Sequence, residues 1–298
     1  MKILAVIVSY NFEPWLDRCL KSLKHPSTDV LVVDNASTDQ TCTRIIRDFP
    51  EVVLLQNKKN LGFGAANNLG FEYALQNDYD TVFLVNQDTY LEFDTIDKLK
   101  KMGEKYPALG ILSPLHYNGS GSELDFGFKS YTKLDDTIPA ADIVPVNFIN
   151  AAFWWIPTAV IQKVGGFSPL FPHYGEDVDF VNRLHYFGYK IAYIPQAKAF
   201  HCRENRPSSP EKLMHSEFLY FITEAVNLKR SVLSAFAYSV LAAGKKAILA
   251  PVKGQSPIPY LKMMIKLLTL PIQRFRNQSI QPGAYLNDIQ RTKEKIPS

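Results

Sequence analysis

The sequence predicts an α/β fold: a mixed, mainly parallel sheet flanked by helices over residues 1–210, then a helical, basic extension over residues 211–298. Three observations carry that prediction. Short continuous apolar runs alternate with stretches of helical spacing, the pattern of a sheet covered on both faces. Several of those runs end abruptly in polar clusters, as strands do beside a ligand site. Beyond Pro210 the apolar residues recur only at helical spacing.

The elements follow in order. Residues 2–8 form a buried strand, and residues 13–24 show helical spacing through Trp15, Leu16, Leu20 and Leu23. Residues 29–34 form a second strand; residues 38–49 form a helix with Ser37 or Thr38 as its cap. A strand at 52–56, a helix at 65–76 and a strand at Thr81–Val85 complete the alternating part. Residues 94–106 read as a helix and 110–114 as a short strand. Residues 118–139, rich in Gly, Ser and Asp, form a surface excursion or a hairpin. An apolar, aromatic run at 147–156 precedes a helix at Thr158–Val164, which Gly165-Gly166 ends. Gly175 opens a helix running to Phe187, and residues 190–194 and 197–201 are the last two strands. Helices then cover 211–249, broken near Gly244, and 259–270.

With 298 residues, 46% of them hydrophobic, and a net charge of +4, the composition is globular and excludes a disordered chain. Cys19, Cys42 and Cys202 make neither a disulfide framework nor a zinc site. The apolar N-terminal run is too short for a signal peptide. The uncharged stretch 231–244 has 14 residues, short of the roughly 18 needed for a spanning helix, so none is expected. Residues 245–298 hold ten Lys/Arg against two Asp/Glu, whereas the rest is net acidic. Basicity confined to a tail argues against a nucleic-acid partner, which meets charge on the folded body.

Ligands bind at the carboxyl ends of strands in such sheets. Those ends carry Ser9-Tyr10-Asn11, Asp34-Asn35-Ala36-Ser37-Thr38-Asp39 and Asn86-Gln87-Asp88-Thr89. Asp34 and Asp88 stand out because each closes an apolar strand, where an unpaired carboxylate is costly. Glu176-Asp177 at a helix start offers a general base. His201 ends the last strand near Arg203 and Arg206, where a metal or phosphate would be met. Asp88 and His201 together could hold one Mg²⁺ or Mn²⁺, with a diphosphate supplying further oxygens. The glycines of Asn60-Leu61-Gly62-Phe63-Gly64-Ala65-Ala66-Asn67 suit the wall of a nucleotide pocket and lack the lysine of a phosphate loop.

Val8-Ser9-Tyr10-Asn11, Val33-Asp34 with its polar loop, Asn60-Leu61-Gly62-Phe63-Gly64, Asn86-Gln87-Asp88, Gly165-Gly166-Phe167 and Gly175-Glu176-Asp177-Val178-Asp179 occur in this order. Over roughly residues 2 to 205 the chain thereby resembles glycosyltransferase family 2, with the GT-A fold, and most closely its rhamnosyltransferase-like members. The resemblance implies inverting transfer of a sugar, with dTDP-rhamnose the favoured donor, from a nucleotide-diphosphate sugar to an acceptor hydroxyl in cell-surface polysaccharide synthesis. It implies that Asp34 accepts the imide N–H of the base, with Ser9, Tyr10 and Asn67 in the nucleotide pocket. Asp88 and His201 would hold the divalent ion, Asp177 beside Glu176 would be the catalytic base, and Trp154-Trp155 would face the acceptor. The usual Asp-x-Asp is Asn86-Gln87-Asp88 here, one negative charge fewer.

Two rival readings share these motifs: a UDP-hexose transferase, and a non-catalytic nucleotide-sugar binder suggested by the missing first aspartate. In the tail, Lys262 and Lys266 lie four apart on one helix face among apolar residues. This favours an anionic membrane surface over a contact with a second copy of the chain. The expectation is a cytoplasmic protein, peripheral on the cytoplasmic membrane face, acting on a saccharide or lipid-linked saccharide acceptor.

Overall fold

The computed structural model describes residues 1–135, 137–203 and 210–287. In chain order its elements are β1 (Ile3–Ser9), α1 (Leu16–Ser22), β2 (Thr28–Asp34), α2 (Thr41–Asp48), β3 (Val53–Gln56), α3 (Phe63–Gln76), β4 (Thr81–Val85), β5 (Thr89–Leu91) and α4 (Thr95–Lys105). They continue with β6 (Leu109–Asn118), α5 (Phe126–Thr132), β7 (Val144–Val146), β8 (Phe153–Pro157), α6 (Thr158–Val164), α7 (Glu176–Tyr186) and β9 (Lys190–His201). Helices α8 (Pro210–Val226), α9 (Val232–Leu249), α10 (Ile258–Thr269) and α11 (Ile272–Ser279) follow.

One sheet runs β3-β2-β1-β4-β8-β6-β9-β5, with β7 also paired to β9. Strands β1 to β4 are mutually parallel where they pair. From β8 onward the sheet mixes directions: β8 is antiparallel to β4 and β6, while β6 and β9 are parallel. The expected mixed α/β sheet is therefore present, with its parallel character concentrated in the first half.

Alternation along the strands divides the core. Ile3, Ala5 and Ile7 of β1 face Leu16, Leu20, Ile45, Leu99 and their neighbours on one side. Leu4 and Val6 face Phe71, Phe180 and Leu184 on the other. Adjacent residues of a strand point to opposite faces, so β8 sends Trp154 into one core and Trp155 into the other. Both indoles are fully buried, and Trp154 Nε1 donates to the Ile149 carbonyl at 3.1 Å. The expectation that they face an acceptor is corrected: they are core residues, because β8 lies mid-sheet with both faces covered.

Several boundaries also differ. Residues 190–201 form one strand, which passes Pro195 by a register shift: Ile194 pairs Pro114 while Lys198 pairs Leu115. Helix α2 starts at Thr41, whose N–H goes to Asp39 Oδ1 at 3.0 Å, because Ser37 is committed elsewhere. The glycine-rich excursion encloses α5, capped by Asp125, which accepts the Phe128 N–H at 2.9 Å. The break after α8 falls between Val226 and Val232, not at Gly244, which packs against Met264 inside the helix pair. Helices α8 to α11 form a third apolar cluster, joined to the sheet domain through Phe171.

Candidate active site

Parallel pairing of β1 with β2 and β4 brings Ser9, Asp34 and the Asn86-Gln87-Asp88 segment to one sheet edge. Asp34 is buried, a position a carboxylate tolerates only when its oxygens are satisfied. Ser9 Oγ donates to Oδ1 at 2.9 Å, the Ser37 N–H donates to Oδ2 at 2.9 Å, and the Ser37 hydroxyl also donates to Oδ1. An ionised carboxylate accepts about four such bonds, so Asp34 keeps capacity for another donor. The loops after β1 and β2 are laced together: Asn11 donates its N–H to Ser37 Oγ and accepts that of Thr38, both at 2.9 Å. Tyr10 is half exposed, and its backbone pairs reciprocally with the Gln87 amide at 2.8 and 3.2 Å.

Strand β5 pairs antiparallel with β9 in a register that sets Thr89 opposite His201. This brings His201 Nε2 to 3.3 Å from Asp88 Oδ1, and the Cys202 N–H to the Asp88 carbonyl at 2.7 Å. Burial pushes the Asp88 carboxyl upward, but the His201 hydrogen bond and charge, with Arg203 behind them, hold it below the usual range. His201 is itself buried, and its Nδ1 has no partner among the described residues.

Beside this edge lies a cavity of about 400 Å³, lined among others by Asn86, Tyr131, Asn150, Glu176, Asp177 and Arg203. Glu176 and Asp177 begin α7, preceded by Tyr174 and Gly175, both with positive φ. A bulky residue at φ 65° is strained, and such strain collects at functional sites. Asp177 Oδ1 accepts the Val178 N–H at 2.8 Å. Burial pushes the Asp177 carboxyl up to about 6 against the opposing pull of backbone N–H groups. Burial, and then the charge of Asp177, push Glu176 up to about 7. Glu176 Oε2 and Asn150 Oδ1 are buried acceptors without partners among the described residues. Two unsatisfied acceptors beside a weakly acidic carboxylate form a surface that hydroxyl groups would satisfy.

The structure thus brings together Ser9 with Asp34, Asp88 with His201, and Glu176 with Asp177. It removes Asn67 from the expected nucleotide contacts: the residue is buried, and its Nδ2 donates to the Phe63 carbonyl at 3.0 Å one turn back in α3. The third acid of the helix start, Asp179, is structural. It holds buried Arg183 at 2.9 Å, and that guanidinium donates to the Val164 and Gly166 carbonyls. Their i, i+4 spacing was the available signal. Asn150 and Tyr131 were missed, since they come from a loop and a short helix with no motif of their own. Arg206 lies outside the described residues.

Strand-end acceptors, a paired carboxylate and imidazole, and a raised acidic pair in a cleft lie along one end of the sheet, and the comparisons that follow make the chain a glycosyltransferase of the GT-A fold. Residues 4–150 match the family model of glycosyl transferase family 2 and are a domain of that family. An N-acetylglucosaminyl-diphospho-decaprenol L-rhamnosyltransferase of Mycobacterium tuberculosis is 27% identical over 228 residues, which span 66% of this chain and 74% of the relative. The dTDP-rhamnosyl transferase RfbF of Shigella flexneri is 34% identical over 98 residues, 33% of either chain. Among solved structures, S. aureus TarS 1-349 in complex with UDP-GlcNAc superposes with a TM-score of 0.58 at 17% identity, covering 94% of this chain and 82% of that one. The chain spans 42% of the longer TarS structure. The mannosyltransferase PcManGT from Pyrobaculum calidifontis, in complex with GDP-Man and Mn²⁺, gives 0.57 at 16% identity, covering 99% and 87%.

Proposed function

We propose that this glycosyltransferase moves rhamnose from dTDP-rhamnose to a hydroxyl of a lipid-linked saccharide, with inversion, in cell-surface polysaccharide synthesis. The observation that carries the reading is the placement of Asp177, in a cleft whose buried acceptors await hydroxyl donors, next to the Asn86-Gln87-Asp88 edge. The rhamnosyltransferases among the relatives support the donor sugar. The name of the mycobacterial relative supports a lipid-diphosphate acceptor.

In this mechanism Asp34 receives the imide N–H of the base, and Tyr10, on the exposed rim, contacts base or ribose. Asp177 takes the proton of the acceptor hydroxyl, and the freed oxygen forms a bond to the anomeric carbon. The bond from that carbon to the diphosphate breaks, and its electron pair leaves with the diphosphate. General base help of this kind contributes typically 10² to 10⁴ in rate. Glu176 and Asn150 accept hydrogen bonds from sugar hydroxyls and hold the acceptor in line.

A carboxylate and an imidazole 3.3 Å apart suit Mg²⁺ or Mn²⁺, and Mn²⁺ accompanies the nucleotide in two of the solved relatives. Asp88 and His201 would hold that ion, which supplies positive charge for the departing diphosphate. Two protein ligands make a weak site alone, so metal and nucleotide should bind together.

Melting temperature with dTDP, UDP, GDP and CDP, each with and without Mn²⁺ or Mg²⁺, tests the reading. Ligand at about 100 times its Kd adds roughly 2.7 kcal/mol, a shift of several degrees. A metal-dependent shift with dTDP is expected. A shift with UDP alone would make the donor a UDP-hexose, and no shift with any nucleotide would overturn the nucleotide-sugar reading of the site. The basic helices at the end of the chain would bring the enzyme peripherally to the membrane that carries its acceptor.

A further inference from the structure

Helix α9 has the length and composition of a membrane-crossing helix, yet only 22% of it is buried. This changes the expectation drawn from 14 uncharged residues, because the helix continues through Lys245 and Lys246 to Leu249. Its small residues Ala235, Ser239, Ala243 and Ala247 make the buried stripe, every fourth position. On the opposite side Leu233, Leu241 and Ile248 are exposed, Leu241 by 72% and Ile248 by 76%.

Helix α10 repeats the arrangement. Tyr260, Met263 and Leu267 are buried, while Ile258, Leu261, Ile265 and Leu268 are exposed, Ile265 by 62%. The two helices pack against each other at Gly244 and Met264. They are joined by the short turn at residues 250–257, so they run antiparallel; Gly244 stands at i, i+3, i+7 spacing with Leu241 and Ile248, and Met264 with Leu261 and Leu268, so both apolar stripes border that seam. Val252, in the turn, is 84% exposed and extends the surface.

The charge carried by α9, α10 and α11 has one sign in the sequence. Residues 231–287 contain seven Lys/Arg and no Asp or Glu. Lys245, Lys262 and Lys266 are exposed beside the apolar stripes. Water is a poor partner for so large an apolar patch, and an acidic rim on a partner protein is not the only complement to the lysines: a bilayer surface with anionic headgroups matches apolar face and basic flank at once.

We propose that the outer face of α9 and α10 lies on an anionic membrane, with Leu241, Ile248, Ile265 and Leu268 entering the headgroup–acyl boundary and Lys245, Lys262 and Lys266 meeting lipid phosphates. This deepens the peripheral attachment named above and rests on that part of the reading alone. Neither helix supplies a lining residue to the cavity at Asp177.

Flotation of the full chain with vesicles tests it, using phosphatidylcholine alone and an equal mixture with phosphatidylglycerol. The expected result is capture by the anionic vesicles only, released by salt. Leu241→Glu with Ile265→Glu should abolish capture at an unchanged melting temperature, since both side chains already stand in solvent. Lys262→Ser with Lys266→Ser should weaken it roughly twenty-five-fold, about fivefold for each lysine. Asp177→Asn should float like the parent, which separates this proposal from the transfer chemistry. Absence of capture overturns the proposal, as does capture that the glutamate variants leave intact. A dimer in solution that the glutamate variants dissociate would reassign the face to self-association, and protein resistant to alkaline carbonate would replace surface attachment by a spanning helix.

Discussion

Arg203 clasps Asp125 through two hydrogen bonds, Nε to Oδ2 at 3.0 Å and a terminal nitrogen to Oδ1 at 2.6 Å. The same carboxylate caps α5, so one buried group ties the end of the last strand to the helix that carries Tyr131 into the cavity. Burial raises the Asp125 carboxyl, but the Arg203 bonds and the Phe128 N–H outweigh it and hold the group below the ordinary carboxylate range. Asp125→Ala should cost about 1–3 kcal/mol, the loss of a cap and a charge-assisted pair together. Because the folded pKa is depressed, this contribution is present at neutral pH and is lost as pH falls through the folded value. Thermal unfolding of parent and variant from neutral to acid pH checks it: the gap between them should close at the acid end.

Asp177 is the group whose loss should separate binding from chemistry. Asp177→Asn keeps size and the Val178 hydrogen bond but cannot accept the acceptor's proton. Transfer should fall by about 10² to 10⁴, while the nucleotide-induced rise in melting temperature stays within a degree or so of the parent's. Parent-like turnover in this variant would remove Asp177 from the role of base.

The metal reading has its own variant. Asp88→Asn removes the carboxylate but leaves an amide oxygen near His201. Nucleotide binding in Mn²⁺ should weaken about tenfold or more, the order of a lost charged ligand. Binding measured in a chelator should be the same in parent and variant. An unchanged Mn²⁺ effect in the variant would place the ion elsewhere.

Much of this site was legible because strand ends advertise it. Asp34 follows four buried residues and Asp88 follows the buried run of β4, and a carboxylate at such a position has to be partnered. The Glu176-Asp177 pair announced itself as excess acid at a helix start. Trp154 and Trp155 misled because their aromaticity suits sugars. Adjacent residues in a strand covered on both faces have nowhere to point but two cores, which alternation alone could have revealed. Asn67 ends a glycine-rich motif by sequence, yet α3 begins at Phe63, two residues earlier than the spacing suggested, and the Phe63 carbonyl one turn back takes its amide. Asn150 and the Asp125–Arg203 clasp depend on contacts between segments far apart in the chain, and no local pattern encodes those.

The acidic pair should also shape the response to pH, in opposite directions for activity and for stability. In the proposed mechanism deprotonated Asp177 takes the acceptor proton, so transfer should rise as pH climbs through about 6, with the neighbouring Glu176 carrying the pair's titration towards 7. Both folded values are raised, so the folded chain holds protons that the unfolded chain has released, and stability falls as pH rises from about 4.5 to 7. Glu176→Gln removes one of the two buried charges. It should stabilise the free protein above pH 7 on the order of 2 kcal/mol, and the gain should disappear in acid. A variant no more stable than the parent in mild alkali would mean that Glu176 is neutral or solvated there.

Gly165 tests how the segment at residues 284–287 is held against the sheet and its helices. Its φ of 88° is a region that side chains avoid, and a Cβ there would stand 2.1 Å from the Ala284 carbonyl oxygen. The neighbouring Gly166 N–H donates to that same oxygen at 2.7 Å, and Asn287 reaches Glu72 on α3 at 2.8 Å. The segment after α11 is thereby strapped across the Gly-Gly turn and α3, on the side of the sheet where Arg183 holds the Gly166 carbonyl. Gly165→Ala should force the strap away and cost about 2–4 kcal/mol, strain and lost hydrogen bonds combined. In hydrogen exchange, the amides of Gly166 and Asn287 should lose protection together, while that of Asp34 at the end of β2 keeps its own. Loss at all three would show that the strap supports the whole sheet and is not a local closure.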